Sequence, residues 1–173
     1  MLFVLIVLLL VASVFVLLMK KNRESLYLLG MCCSLMVQFS GILIFIAKKG
    51  GYSKSIIGFL FFSQTLRNKL QYLFITLDAL GYIIAVGRYL FPLFLLESAL
   101  QYSMIGWIRR HPDIQKWICV LPAATLAVYF PPVFRFIVNR WPVMHSVLVE
   151  GSYWWITAYV AVALVLMIQG LFA

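Results

Sequence analysis

Three stretches of this chain run for nineteen residues or more without a charged side chain: Met1–Met19, Ser25–Ala47 and Gly151–Ala173. Nothing else in the sequence limits the fold so strongly. A hydrocarbon core of about 30 Å is crossed by roughly 20 helical residues, and a helix is the one local structure that satisfies its own backbone there. The rest of the composition agrees. The chain has 173 residues, of which 65% are hydrophobic and 11% charged, against roughly half and a quarter in soluble domains. A soluble fold of this length lacks the interior to hide so much apolar surface. The expected class is an all-α, polytopic transmembrane helix bundle.

A fourth apolar run, Trp117–Phe134, is interrupted by Pro122, Pro131 and Pro132. Proline inside a span frees a carbonyl that must find a partner within the protein. The Pro131-Pro132 pair reads as the end of that helix. Between Lys48 and Arg110 the pattern is mixed. "SIIGFLFFSQTLRNKLQYLFI" has a first apolar run too short to span and a second half that mixes charge with leucine. It reads as an interfacial segment over about 55–73.

"ITLDALGYIIAVGRYLFPLFLLESAL" follows. As one helix, Thr76 would cap its start and Asp78 would sit in its first turn, where the backbone favours a carboxylate. Pro92 would kink it. Arg88 and Arg109 are 21 residues apart, about 32 Å along a helix, and would bracket the hydrocarbon as interface anchors. As two helices, the turn would fall at Gly87–Leu90, which is poor in turn formers apart from Gly87. One helix is preferred. That gives five spans, over about 1–19, 25–47, 77–108, 117–134 and 149–173, plus the interfacial segment. Six spans are the alternative.

The net charge of +9 does not indicate a nucleic-acid protein, because the basic residues sit in short clusters between apolar runs. Such clusters orient spans and meet lipid headgroups, so the lipid bilayer is the expected partner. With the amino terminus outside, six Lys and Arg lie inside and eight outside, slightly against the positive-inside rule. The six-span arrangement reverses the balance. Both place Arg109–Lys116 and the carboxyl terminus in the cytoplasm. The basic cluster follows the first apolar run, so that run reads as a retained helix and not a cleaved signal. Cys32 and Cys33 lack metal-binding or redox spacing and read as small packed side chains, and Cys119, near a helix end, carries a weak palmitoylation signal.

Few residues invite chemistry. Glu97 would lie within the bilayer, where a carboxyl group is expensive and marks an ion path, a ligand site or a helix contact. Gln101 sits one turn later on the same face, and Gln38 on the second span could meet it. These three are the candidate sensing or coupling residues, against the plainer reading of one buried hydrogen bond that fixes packing. Arg88, Arg109, Arg110, Trp154 and Trp155 read as interface anchors, as do Arg135 and Arg140 beside Trp141. His111-Pro112-Asp113 matches a co-chaperone triplet by chance in a short loop, where Asp113 can cap the next helix. No catalytic motif, metal-ligand set or cofactor motif is present.

The phrases "KNRESLYLLGMCCSL", "IFIAKKGGYS", "LQYLFITLDALGYIIAVGRYLFPLFLLESALQYSMIGWIRR" and "LPAATLAVYFPPVFRF" together resemble the N-terminal membrane region of multi-pass sensor histidine kinases of Gram-positive bacteria. The resemblance covers most of the chain, with "LDALGYIIAVGRYLFPLFLL" its most distinctive part. It implies a sensor region of about seven helices in the bacterial plasma membrane, homodimeric when intact, that recognises an envelope or peptide signal. A cytoplasmic kinase domain binding ATP and acting on a response regulator would follow. No kinase residue falls within this sequence, and the resemblance transfers no ligand-binding residue. The chain would then be the first part of such a sensor. A small transporter or permease subunit using Glu97 and Gln38, or a structural membrane subunit, are the alternatives.

Overall fold

The computed structural model describes residues 2–19, 23–49, 76–102, 111 and 113–172. Every regular element among them is helical: α1 (Leu2–Leu18), α2 (Arg23–Lys49), α3 (Leu77–Tyr102), α4 (Asp113–Tyr129), α5 (Pro131–Arg140) and α6 (Met144–Phe172). The expected interfacial segment at about 55–73, and Arg109 and Arg110, lie outside the described residues.

Local chemistry sets the ends. Thr76 caps α3, its hydroxyl oxygen accepting the Ala79 N–H at 3.3 Å, one of the donors a helix start leaves open. From there α3 runs unbroken through Gly87, Arg88 and Pro92, so the turn needed by the two-helix alternative is absent. The expected span at 117–134 is corrected. Helix α4 begins earlier, at Asp113, and stops at Tyr129. Phe130 is extended (φ −55°, ψ 126°), as the residue before a proline prefers. Pro131 and Pro132 then occupy the first turn of α5, where a missing N–H costs nothing. The chain bends by 74° between α4 and α5. Asp113 lies in the first turn of α4, and its carboxylate pairs with Lys116 at 2.9 Å.

Helix α3 is the hub, packing on α2, α4, α5 and α6. Against α2 the contacts run in opposite order: Gly30 meets Phe94, Gly87 meets Ser34 and Gln38, and Gly41 meets Ile84. The two helices are therefore antiparallel. Helix α6 runs parallel to α3, with Trp155 beside Tyr89 and Ala163 and Leu166 beside Leu96, Ala99 and Leu100. Helix α4 runs against both. One end of the bundle thus holds Lys48, Leu77, α5 and Met144, and the other holds Tyr102, Asp113 and Phe172.

Among the described residues three helices are long and apolar enough to cross a membrane: Ser25–Lys48, Leu77–Gln101 and Met144–Phe172. A fourth is added if α4 and α5 count as one bent span, and α1 is shorter. Their outer faces carry large apolar side chains, such as Leu8 at 59% exposed and Leu171 at 83%. Such faces fit hydrocarbon and would be a liability in water. Cys33 belongs to this outer surface and Cys32 is half-buried, so the expectation of packed cysteines on α2 fails for Cys33.

Candidate functional site

Glu97 is buried at 4% exposure on the face of α3 covered by α4 and α6. Its Oε2 has no hydrogen-bond partner among the described residues. Cys119 on α4 and Tyr159 on α6 lie within electrostatic reach of the carboxyl group. Arg88, the one cation within the described length of α3, is nine residues away and half a turn out of phase.

The same junction shows why Tyr159 sits where it does. Pro122 is fully buried inside α4 and cannot donate to the carbonyl one turn back, that of Ile118. The Tyr159 hydroxyl donates to this carbonyl instead, at 2.8 Å. A carbonyl orphaned by proline is thereby satisfied from the neighbouring helix, as hydrocarbon requires. The sequence reading anticipated the orphan but not its partner. The clue available was a tyrosine at the start of the apolar run Val160–Ile168 of α6.

Of the other candidates, Gln101 stays one turn from Glu97 and is half-buried. Gln38 is not brought to Glu97. Its backbone and Cβ pack on Gly87, ten residues from Glu97, or about 15 Å along α3. The expected Glu97–Gln38 pairing is corrected on that ground: antiparallel packing sets the level of each α2 residue, and Gln38 falls at the wrong one. Ser98, next to Glu97, is also buried with an unpartnered hydroxyl.

A second layer lies around Arg88. Its guanidinium stands 4.5 Å from the centroid of the Tyr153 ring, a cation–π contact that ties α3 to α6. Arg88 is thus held against a neighbouring helix ten residues in from Asp78, not free at a helix end as an anchor would be. Tyr89 beside it is buried. Its hydroxyl lies near those of Ser152 and Tyr129, and its ring lies 5.4 Å from Tyr129 and 5.6 Å from Trp155. The two adjacent tryptophans part ways. Trp154 is 77% exposed. Trp155 turns inward against Tyr89 and Tyr159, with its indole N–H buried and unpartnered.

At the end of the bundle, Asp78 pairs with Arg135 of α5. Both were expected to act alone, one as a helix-start acid and the other as an anchor. A cavity of about 280 Å3 adjoins the pair, between α3 and α5. Among the described residues no group of three His, Cys, Asp or Glu could hold a metal ion. Comparison of the chain with protein families, with curated proteins and with solved structures finds no match.

Proposed function

We propose that this chain is the membrane-embedded signal-sensing region of a two-component sensor histidine kinase. It would have five spans with an interfacial segment and a cytoplasmic carboxyl terminus, and it would be dimeric when joined to its kinase domain. ATP and the response regulator would belong to that domain, and an envelope or peptide signal to the membrane part. The observation that carries the reading is Glu97: a buried carboxyl oxygen without a partner, on the helix that bears the family-like phrase, at the junction with the last helix. An unmet buried polar group costs free energy. A small rotation of α6 that supplied a donor would recover it, so the junction is suited to two packings of similar stability. A signal biases such a pair only by binding the two differently.

The transporter reading loses support, because its two polar residues do not share a site. The span count rests on α2 ending and α3 beginning at the same end of the bundle, with α3 unbroken, which favours five over six.

Two measurements test the proposal. Reading the gene beyond Ala173 should show further spans and a kinase domain, and a stop codon there in an intact gene would overturn it. In the full-length protein, Glu97→Gln and Glu97→Ala should each change reporter output from the response regulator. Equal output from wild type and both variants would remove Glu97 from signalling.

A further inference from the structure

The cavity between α3 and α5 lies outside the Glu97 junction, at the opposite end of the bundle from Phe172. Gly81, Tyr82, Tyr129 and Phe134 line it together with the Asp78–Arg135 pair. Its volume of about 280 Å3 is at the low end for small-molecule sites, enough for a head group and the first carbons of a chain. Both side chains of the pair are more than half exposed, and an exposed pair of this kind contributes little to stability. It can therefore be exchanged.

The two partners would fare differently in an exchange. Asp78 sits in the first turn of α3, where open N–H groups and the helix dipole favour its charge without Arg135. Arg135 has no second acid in the cavity wall. A ligand cation taking Asp78 would strand Arg135, whereas a ligand anion taking Arg135 leaves Asp78 supported. Aromatic side chains beside the pair offer a surface for apolar carbon, and Arg140 lies five residues further along the same helix.

We propose that this cavity binds an amphiphile with one anionic head group, the anion displacing Asp78 from Arg135 and the chain lying against Tyr82 and Phe134. The inference does not rest on the sensor reading, since binding is read directly. Such a ligand can come from the bilayer, as an anionic phospholipid, or from solution, as a free amphiphile.

The test is titration of dansyl-undecanoic acid into the purified full chain in uncharged micelles, with its methyl ester as control. Wild type should bind the acid saturably and the ester more weakly. Arg135→Gln should weaken acid binding about tenfold, the loss of one charged hydrogen-bonded contact. Asp78→Asn should tighten it by removing the competitor. Gly81→Leu should abolish it, and its side chain fits because a Cβ at Gly81 meets nothing within 4 Å. A merely structural ion pair predicts the same sign for Arg135→Gln and Asp78→Asn. Absence of saturable binding, weakening by both substitutions, equal binding of the ester, or unchanged binding by Gly81→Leu would overturn the proposal. In nanodiscs, displacement of the probe when phosphatidylglycerol replaces phosphatidylcholine supports a lipid source. Undisturbed binding supports a free amphiphile.

Discussion

The Tyr159 hydroxyl and the Ile118 carbonyl form a cross-helix hydrogen bond whose need is created by a third residue, Pro122. This gives a prediction with an internal control. Tyr159→Phe should destabilise the bundle by about 1 kcal/mol, since interhelical hydrogen bonds in membranes average near 0.6 and reach about 1.7 kcal/mol. Pro122→Ala returns an N–H to the Ile118 carbonyl, so in that background Tyr159→Phe should cost less. A double-mutant cycle on unfolding in mixed micelles reads the coupling. Additive effects would show that the tyrosine does not serve the proline. At this scale the sequence was half legible. Glu97 and Pro122 stand out because each breaks a rule of the hydrocarbon interior. Their neighbours do not, because Tyr159 lies 62 residues beyond Glu97 and no local pattern links them. Gln38 misled for the same reason: polarity at mid-span says nothing of the level at which two helices meet.

Helix α3 holds two glycines that look alike in sequence and do opposite things. A Cβ at Gly87 would stand 2.5 Å from the Ser34 carbonyl oxygen and 2.6 Å from the Gln38 nitrogen. Those are backbone atoms that cannot turn aside, so the glycine is what lets α2 and α3 approach. A Cβ at Gly81 meets nothing. Gly87→Ala should therefore cost about 1–3 kcal/mol by forcing the helices apart. Gly81→Ala should leave stability unchanged or raise it by up to about 1 kcal/mol. Both are read from unfolding midpoints in the same detergent. A harmless Gly87→Ala would mean that α2 crosses α3 elsewhere. The continuity of α3 was legible from Thr76, Asp78 and the length of the apolar run. The role of Gly87 was not, because a glycine beside an arginine reads equally as a turn. The choice was made by the backbone of α2, which a one-dimensional pattern cannot display. The break at Phe130 shows the converse. Pro131-Pro132 marked the end of α4 plainly, yet the same prolines open α5, since the first turn of a helix tolerates them.

The order of contacts along α2, α3, α4 and α6 assigns the ends of these helices to one of two sides, whichever side faces the cytoplasm. Counting charges settles that orientation poorly. Counted from sequence position between the five expected spans, eight Lys and Arg fall on one side and six on the other if Arg88 is included. With Arg88 stacked on Tyr153 inside the bundle, the count becomes seven to six, too even for the positive-inside rule. Packing and the proposed kinase connection must carry the orientation instead. Single cysteines at Asn139 on α5 and Gln115 on α4, in a background with Cys32, Cys33 and Cys119 replaced by serine, test both levels at once. Bundle geometry requires that an impermeant maleimide reach only one of the two in intact cells, with the other labelled after lysis. The five-span sensor further requires that Asn139 be the one reached from outside. Labelling of both from outside would break the antiparallel arrangement of α3 and α4 itself. Labelling of Gln115 alone would keep the fold, place the α5 cavity on the cytoplasmic side and contradict the cytoplasmic carboxyl end that the five-span sensor requires.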